Sequence, residues 1–206
     1  MNDVVKWTET ERLGVADLLE SLSDDEWSVD SLCTGWTVRH VAAHLTMSTR
    51  TTWSVALKGA IRARGSFDRM ADNLARDRAA RFEPAELIAQ IRETAASPRR
   101  APGAGLLDPL LDTLVHGQDI ARPLGHPRPV PLEPALAALA HACSSNFYGA
   151  RKRFRGLTLI ATDADWTSGT GPDEVRAPVS DLLLLATGRP AGLAAASGPG
   201  VARLAL

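Results

Sequence analysis

In the segment TETERLGVADLLESL, residues 8–22, the apolar positions Leu13, Val15, Ala16, Leu18, Leu19 and Leu22 recur at three- and four-residue intervals. This period, repeated along most of the chain, limits the fold to packed amphipathic helices. A second helix is predicted to open at Thr37, whose hydroxyl suits an N-cap, with Gly35 breaking the chain just before it. Val38, Val41, Ala42 and Leu45 form its apolar arc. No proline or glycine follows until Gly59, so the helix is expected to run past Arg50 towards Leu57 or Ile61.

The pattern continues through a charged segment, 66–82, with Phe67, Met70 and Leu74 in helical register, and restarts at Pro84, a favourable first-turn residue. PRRAPGAG, 98–105, is a break. LLDPLLDTLVHGQDIARPLG is a helix with Pro109 near its start and Pro123–Gly125 at its end, and a further helix is predicted from Glu133 through EPALAALAHACSSNFYGARKRF. After Arg155 the period drops to two: Leu157, Leu159 and Ala161 alternate with Thr158, Ile160 and Thr162, as in a strand. VSDLLLLATGRPAG reads as a short helix ending at Gly188, and GPGVARLAL as a strand or short helix. The expected fold is mainly α, a helical bundle over 1–153 followed by a small α/β domain over 154–206.

Composition narrows the function. A net charge of −1 and a pI near 6.5 argue against a nucleic-acid binder, which carries a basic face. Cys33 and Cys143 form no CxxC pair, so two free thiols in a reducing compartment are expected. The N-terminal stretch has no apolar core flanked by basic residues, and no apolar run nears the roughly 20 residues that span a bilayer. A cytoplasmic protein that engages no membrane is the expectation.

The residues most suited to chemistry lie in GWTVRHVAAHL, where His40 and His44 stand four apart, and in LLDTLVHGQD, where Asp112 and His116 do the same. Side chains four apart share a helix face, so a carboxylate and an imidazole on one turn can hold one ion if another helix supplies a third ligand. At about 100° per residue, His44 borders the apolar arc of its helix and His40 lies further towards solvent. Asp112, His116 and Asp119 cluster on one side of theirs, opposite Leu110 and Leu114, which sets them at the edge of the packed stripe. The same spacing suits plain boundary residues, and periodicity does not choose between the two.

These two motifs, in this order and about 70 residues apart, resemble those of the mycothiol-dependent maleylpyruvate isomerase family, a branch of the DinB-like metal-binding four-helix bundles. The Trp36–Thr37–Val38 opening and the closing His44 look like the family's first motif; Asp112, His116, Gly117, Asp119 and Gly125 look like its second. VRAPVSDLLLLATGRPAG is similar to the family's small C-terminal domain. The resemblance implies a zinc or other divalent ion held by His44, Asp112 and His116 in an open site. It implies mycothiol as thiol cosubstrate, a small electrophile as the other partner, and transfer or cis–trans isomerisation as the reaction. It offers Arg189 as a catalytic cation for an anionic substrate, where the plain alternative is a cap on helix carbonyls.

Two departures stand out: members of the isomerase branch commonly carry glutamate where this chain has Asp112, and residues 62–105 match no motif of the family. His40 is expected outside the ligand set. Asp119 either orients the free ring nitrogen of His116 or is solvated. His126 is expected at the surface, His141 packed, and Trp7, Trp27 and Trp53 in the core or its seams; Cys33 has no evident base. A monomer or homodimer fits equally. The rival functions are a non-catalytic bundle with a degenerate site and a zinc-dependent hydrolase.

Overall fold

Helix α1 (Asn2–Glu20) buries Val15, Ala16 and Leu19, and helix α2 (Val38–Leu45) buries Val38, Val41, Ala42, Ala43 and Leu45. Both stripes meet Leu87 and Ile91 of α6 (Pro84–Glu93) and Ile120 of α7 (Asp108–Leu124) in one apolar core. Each of α1 and α2 packs on both α6 and α7, which closes a four-helix bundle, and α5 (Phe67–Arg81) lies against α2. The computed structural model describes residues 2–204, and this bundle falls in the first of two compact units, which ends at Arg128.

The second helix stops earlier than its lack of proline and glycine suggests. α2 ends at Leu45, α3 (Met47–Arg50) is a single turn, and α4 (Trp53–Arg62) begins only after an extended Thr51 and Thr52. The cause is a run of hydroxyls. Thr46 donates to the Ala43 carbonyl at 2.7 Å, Thr51 to the Met47 carbonyl at 2.8 Å, and the Thr52 hydroxyl accepts the Val55 amide at 3.4 Å. Side-chain bonds of this kind compete with the helical ladder and favour caps.

No residue of α4 is buried, and Trp53 is 77 % exposed, so the expectation that this tryptophan lies in the core fails. Trp27 does enter the core, and Trp7 is half-buried. The glycine of the HGQD motif has a packing role. Arg128 lies across Gly14 of α1 and Gly117 of α7, in space that a Cβ at Gly117 would take from its guanidinium and Cδ. Its guanidinium donates to Glu11 Oε2 at 2.7 Å, and Gln118 Nε2 donates to its carbonyl at 2.9 Å.

The second unit starts at Pro129. It contains α8 (Leu132–Ser144), a single turn α9 (Ala150–Arg153), and strands β1 (Leu157–Ala161), β2 (Thr167–Gly169) and β3 (Asp173–Ala177). The strands are ordered β2–β1–β3, antiparallel on one side and parallel on the other. Leu157, Leu159 and Ala161 are buried and the intervening residues less so, as the alternation predicts. Helix α10 (Val179–Ala186) is apolar on nearly every side and packs on α8 and β1.

The division after Arg128 differs from the expected one after residue 153. Helices α8 and α9 share the period of the bundle but pack with α10, and Ala135, Ala138, Leu139 and Ala142 of α8 are buried. The predicted continuous helix 133–154 is also interrupted: the chain turns extended at Ser145, and Gly149 takes φ 74° ahead of α9. The closing segment forms a 3-10 turn, Pro199–Arg203, and residues 205–206 of the predicted element lie outside the described residues.

Candidate metal centre

Helix α7 carries Asp112, His116 and Asp119 into the bundle. Almost every residue from Pro109 to Ala121 is buried, because α1 and α2 pack on this segment and the Leu32–Cys33 loop and Arg128 cover more of it than an amphipathic pattern implies. His116 is 8 % exposed and Asp119 not at all, so they lie inside the packing rather than at its edge. Helix α2 faces them with His44, on its last turn.

His44, Asp112 and His116 come together: each offers one donor atom, and the three atoms lie within 4.8 Å of one another. The Nε2 atoms of both histidines stand 3.3 Å from the same oxygen, Asp112 Oδ1. Zinc bonds of about 2.1 Å in tetrahedral array separate ligand atoms by roughly 3.4 Å, so this donor set fits a divalent ion with positions left open. Among the described residues His44 Nδ1 is buried without a hydrogen-bond partner.

The far side of His116 is fixed. Its Nδ1 lies 2.8 Å from Asp119 Oδ2, which assigns the Nδ1 proton to that bond and turns Nε2 towards Asp112 and His44. Of the two roles open to Asp119, the structure selects the one that orients His116. Burial opposes a charge on His116, but the Asp112 carboxylate and hydrogen bonds to Asp112, Asp119 and Cys33 outweigh it, holding its pKa well above the usual histidine value. Burial also opposes the charge on Asp112, and both histidines overcome it, so its pKa falls far below the usual carboxylate range. Asp112 thus favours positive charge, a proton or a cation, on the side of His116 Nε2. Arg12 of α1, unanticipated from the sequence, adds positive charge near Asp112 while donating to the Thr94, Ala95 and Ser97 carbonyls.

Trp36 forms a wall. Its ring centroid is 5.3 Å from that of His44 and 6.4 Å from that of His116, and its Nε1 donates to Asp72 Oδ1 of α5 at 2.7 Å. Arg76 bonds the same oxygen at 2.8 Å and the Gly35 carbonyl at 2.7 Å. Gly35 takes φ 77°, a conformation that favours glycine.

A second group, Cys33, His116 and Asp119, also brings three donor atoms together. Two of its separations, 2.8 Å and 3.1 Å, are hydrogen-bond lengths shorter than the spacing an ion imposes, and the third, Cys33 Sγ to His116 Nδ1, is 3.7 Å. Like the charge of Arg12, this Cys33 contact is not legible in the sequence, since 83 positions separate the thiol from His116.

His40 points elsewhere. Its Nδ1 accepts the Thr37 amide at 3.1 Å and closes the first turn of α2. His126 Nε2 lies 2.7 Å from Glu26 Oε1, and His141 stacks edge-on with Tyr148 at 6.0 Å. Arg189 belongs to the second unit, where its guanidinium donates to the Thr187 carbonyl at 2.8 Å, at the end of α10.

A family model described as the mycothiol maleylpyruvate isomerase N-terminal domain matches residues 8–121, a span that includes every residue of the candidate centre. No curated protein matches the sequence. The fold is similar to a crystal structure of the mycothiol-dependent maleylpyruvate isomerase, at 13 % identity and TM-score 0.65, over 96 % of this chain and 92 % of that one. A histidine-to-alanine mutant of the same enzyme gives 12 % identity and TM-score 0.66 over the same shares. Along these residues, with the paired motifs in α2 and α7, the chain belongs to the mycothiol maleylpyruvate isomerase N-terminal domain family.

Proposed function

We propose that this protein is a mycothiol-dependent isomerase or S-transferase acting on a small electrophile, with a divalent metal, zinc by its donor set, held by His44, Asp112 and His116. The observation that carries the reading is the convergence of two imidazole Nε2 atoms on Asp112 Oδ1, with His116 held from behind by the buried Asp119. Family membership and the fold shared with a mycothiol-dependent maleylpyruvate isomerase support the thiol and the substrate class.

When bound, zinc supplies the acidity that brings a thiol's pKa towards neutrality and leaves a nucleophilic sulfur. The chain's own residues prepare for this. Asp119 keeps the Nδ1 proton of His116, so that Nε2 presents a lone pair. Asp112 contributes a negative charge and one oxygen between the two rings. Trp36 packs beside both imidazole rings and limits the approach on that side. In this reading Arg189 supplies the cation that neutralises an anionic substrate. Among the described residues no helix is long and apolar enough to cross a membrane.

The test is metal analysis of the purified protein, followed by turnover of electrophiles with and without mycothiol. About one ion per chain and thiol-dependent turnover are expected. Well under one ion favours a degenerate binding module, and turnover without thiol favours a hydrolase. Arg189→Gln is expected to lower turnover while leaving metal content unchanged; unaltered turnover removes it from the catalytic set.

A further inference from the structure

Asp119 Oδ2 serves two donors. His116 Nδ1 approaches at 2.8 Å and the Cys33 thiol at 3.1 Å, a close contact for sulfur. The Asp119 backbone carbonyl accepts the Leu32 amide at 3.1 Å, so the loop ahead of α2 fastens to α7 at this one residue through both main chain and side chain. The carboxylate is wholly buried, and its orientation therefore depends on protein donors rather than on water. Asp119 reaches His116 from the same helix, three positions away, whereas Cys33 reaches Asp119 from another segment.

We propose that Cys33 is a positioning residue for the metal centre: its thiol donates to Asp119 Oδ2 and fixes the carboxylate that holds the His116 Nδ1 proton. The proposal rests on the metal-site reading above, which gives Cys33 no role. A half-buried cysteine is often a small apolar filler, and that account predicts no consequence from losing the donor while keeping the bulk. The positioning account predicts one. The S–H donates weakly, but its acceptor is charged and buried, where hydrogen bonds gain strength. Serine keeps a donor at this position; valine keeps apolar bulk and alanine neither.

The experiment compares Cys33→Val, Cys33→Ala and Cys33→Ser by two readouts, zinc affinity from chelator competition and the His116 ring-nitrogen NMR signals of the metal-free protein. Replacing a residue directly behind a ligand costs about 10- to 100-fold in affinity, and Cys33 acts one bond further out. Valine and alanine are therefore expected to weaken zinc by about 3- to 10-fold, with serine staying within about twofold of the wild type. In the metal-free protein the Nδ1-protonated signal is expected to broaden in the valine and alanine variants and to remain in the serine variant. Valine matching the wild type in both readouts, or serine no better than valine, overturns the proposal.

A cobalt-substituted protein separates one other outcome. An intense thiolate-to-metal charge-transfer band makes Cys33 a ligand and removes the positioning role. If the wild-type protein binds no zinc, the metal-site reading fails, and the metal-free NMR comparison still decides whether Cys33 sets the state of His116.

Discussion

His40 and His44 stand one turn apart on α2, and their imidazoles face different tasks. The Nδ1 of His40 closes the first turn of its own helix by accepting the Thr37 amide at 3.1 Å. His44 turns to α7, where its Nε2 meets Asp112 at 3.3 Å and its ring lies 4.8 Å from that of His116. The difference shows that spacing on one helix places two residues on a face without deciding which of them is shared. That choice belongs to the helix opposite, which presents a carboxylate to one turn and not to the other.

The contrast is broken most directly through metal retention. His44→Ala is expected to weaken zinc binding by more than about 100-fold, beyond the range seen for residues that only support a ligand, while His40→Ala stays within about threefold. Competition with a chromogenic chelator measures both, and comparable losses would erase the distinction. On α7, Asp119→Asn is expected to weaken zinc by about 10- to 100-fold without removing any ligand. Affinity equal to wild type would mean that His116 needs no support from behind.

Stability of the metal-free protein should reverse the order of the two histidines. His40→Ala removes a cap contact and is expected to cost about 1 kcal/mol. His44→Ala is expected to cost less, because removing a ring nitrogen, Nδ1, that among the described residues is buried without a hydrogen-bond partner offsets the loss of the Nε2 contact with Asp112. Urea denaturation in the presence of chelator reads both values, and a larger loss for His44→Ala contradicts this order.

The smallest effect concerns the imidazole–carboxylate pair at the surface. Hydrogen bonds from the Ser23 amide, His126 and the Ser23 hydroxyl hold Glu26 down at about 2. Its folded value lies below its ordinary one, so its contribution is present above pH 4.5 and fades as pH falls towards 2. Glu26 is half-buried and paired at a solvent-accessible site, so the effect is small. A slight Tm advantage over Glu26→Gln at pH 7 should close by pH 2, and an advantage that grows on acidification would refute the assignment.

How much of this was legible in the sequence depends on range. The apolar arcs of α1, α2 and α7 and the alternation of β1 follow from local period, and the structure buries most of the residues so identified, with Leu13, Leu18 and Leu22 of the first arc half-buried. The break after Leu45 is not legible in the placing of proline and glycine, because threonine hydroxyls end the helix. Trp53 misled because an aromatic side chain says nothing about which neighbour covers it. The i, i+4 pair on α7 pointed to Asp112 and His116, and motif resemblance added His44. The Cys33 contact required knowledge of where the loop meets α7, and no periodicity carries that.

The crossing of Arg128 over Gly14 and Gly117 has an evolutionary consequence. The three positions come from separate segments and compete for one volume, so their substitutions are expected to be epistatic. Alanine at 117 meets the guanidinium held by Glu11 and is expected to be harmful in this background. Beside a small residue at 128 the same alanine becomes nearly neutral, and a double-mutant cycle should return a large coupling term. A lineage can therefore exchange these residues only by an ordered path, shortening the arginine before filling the glycine.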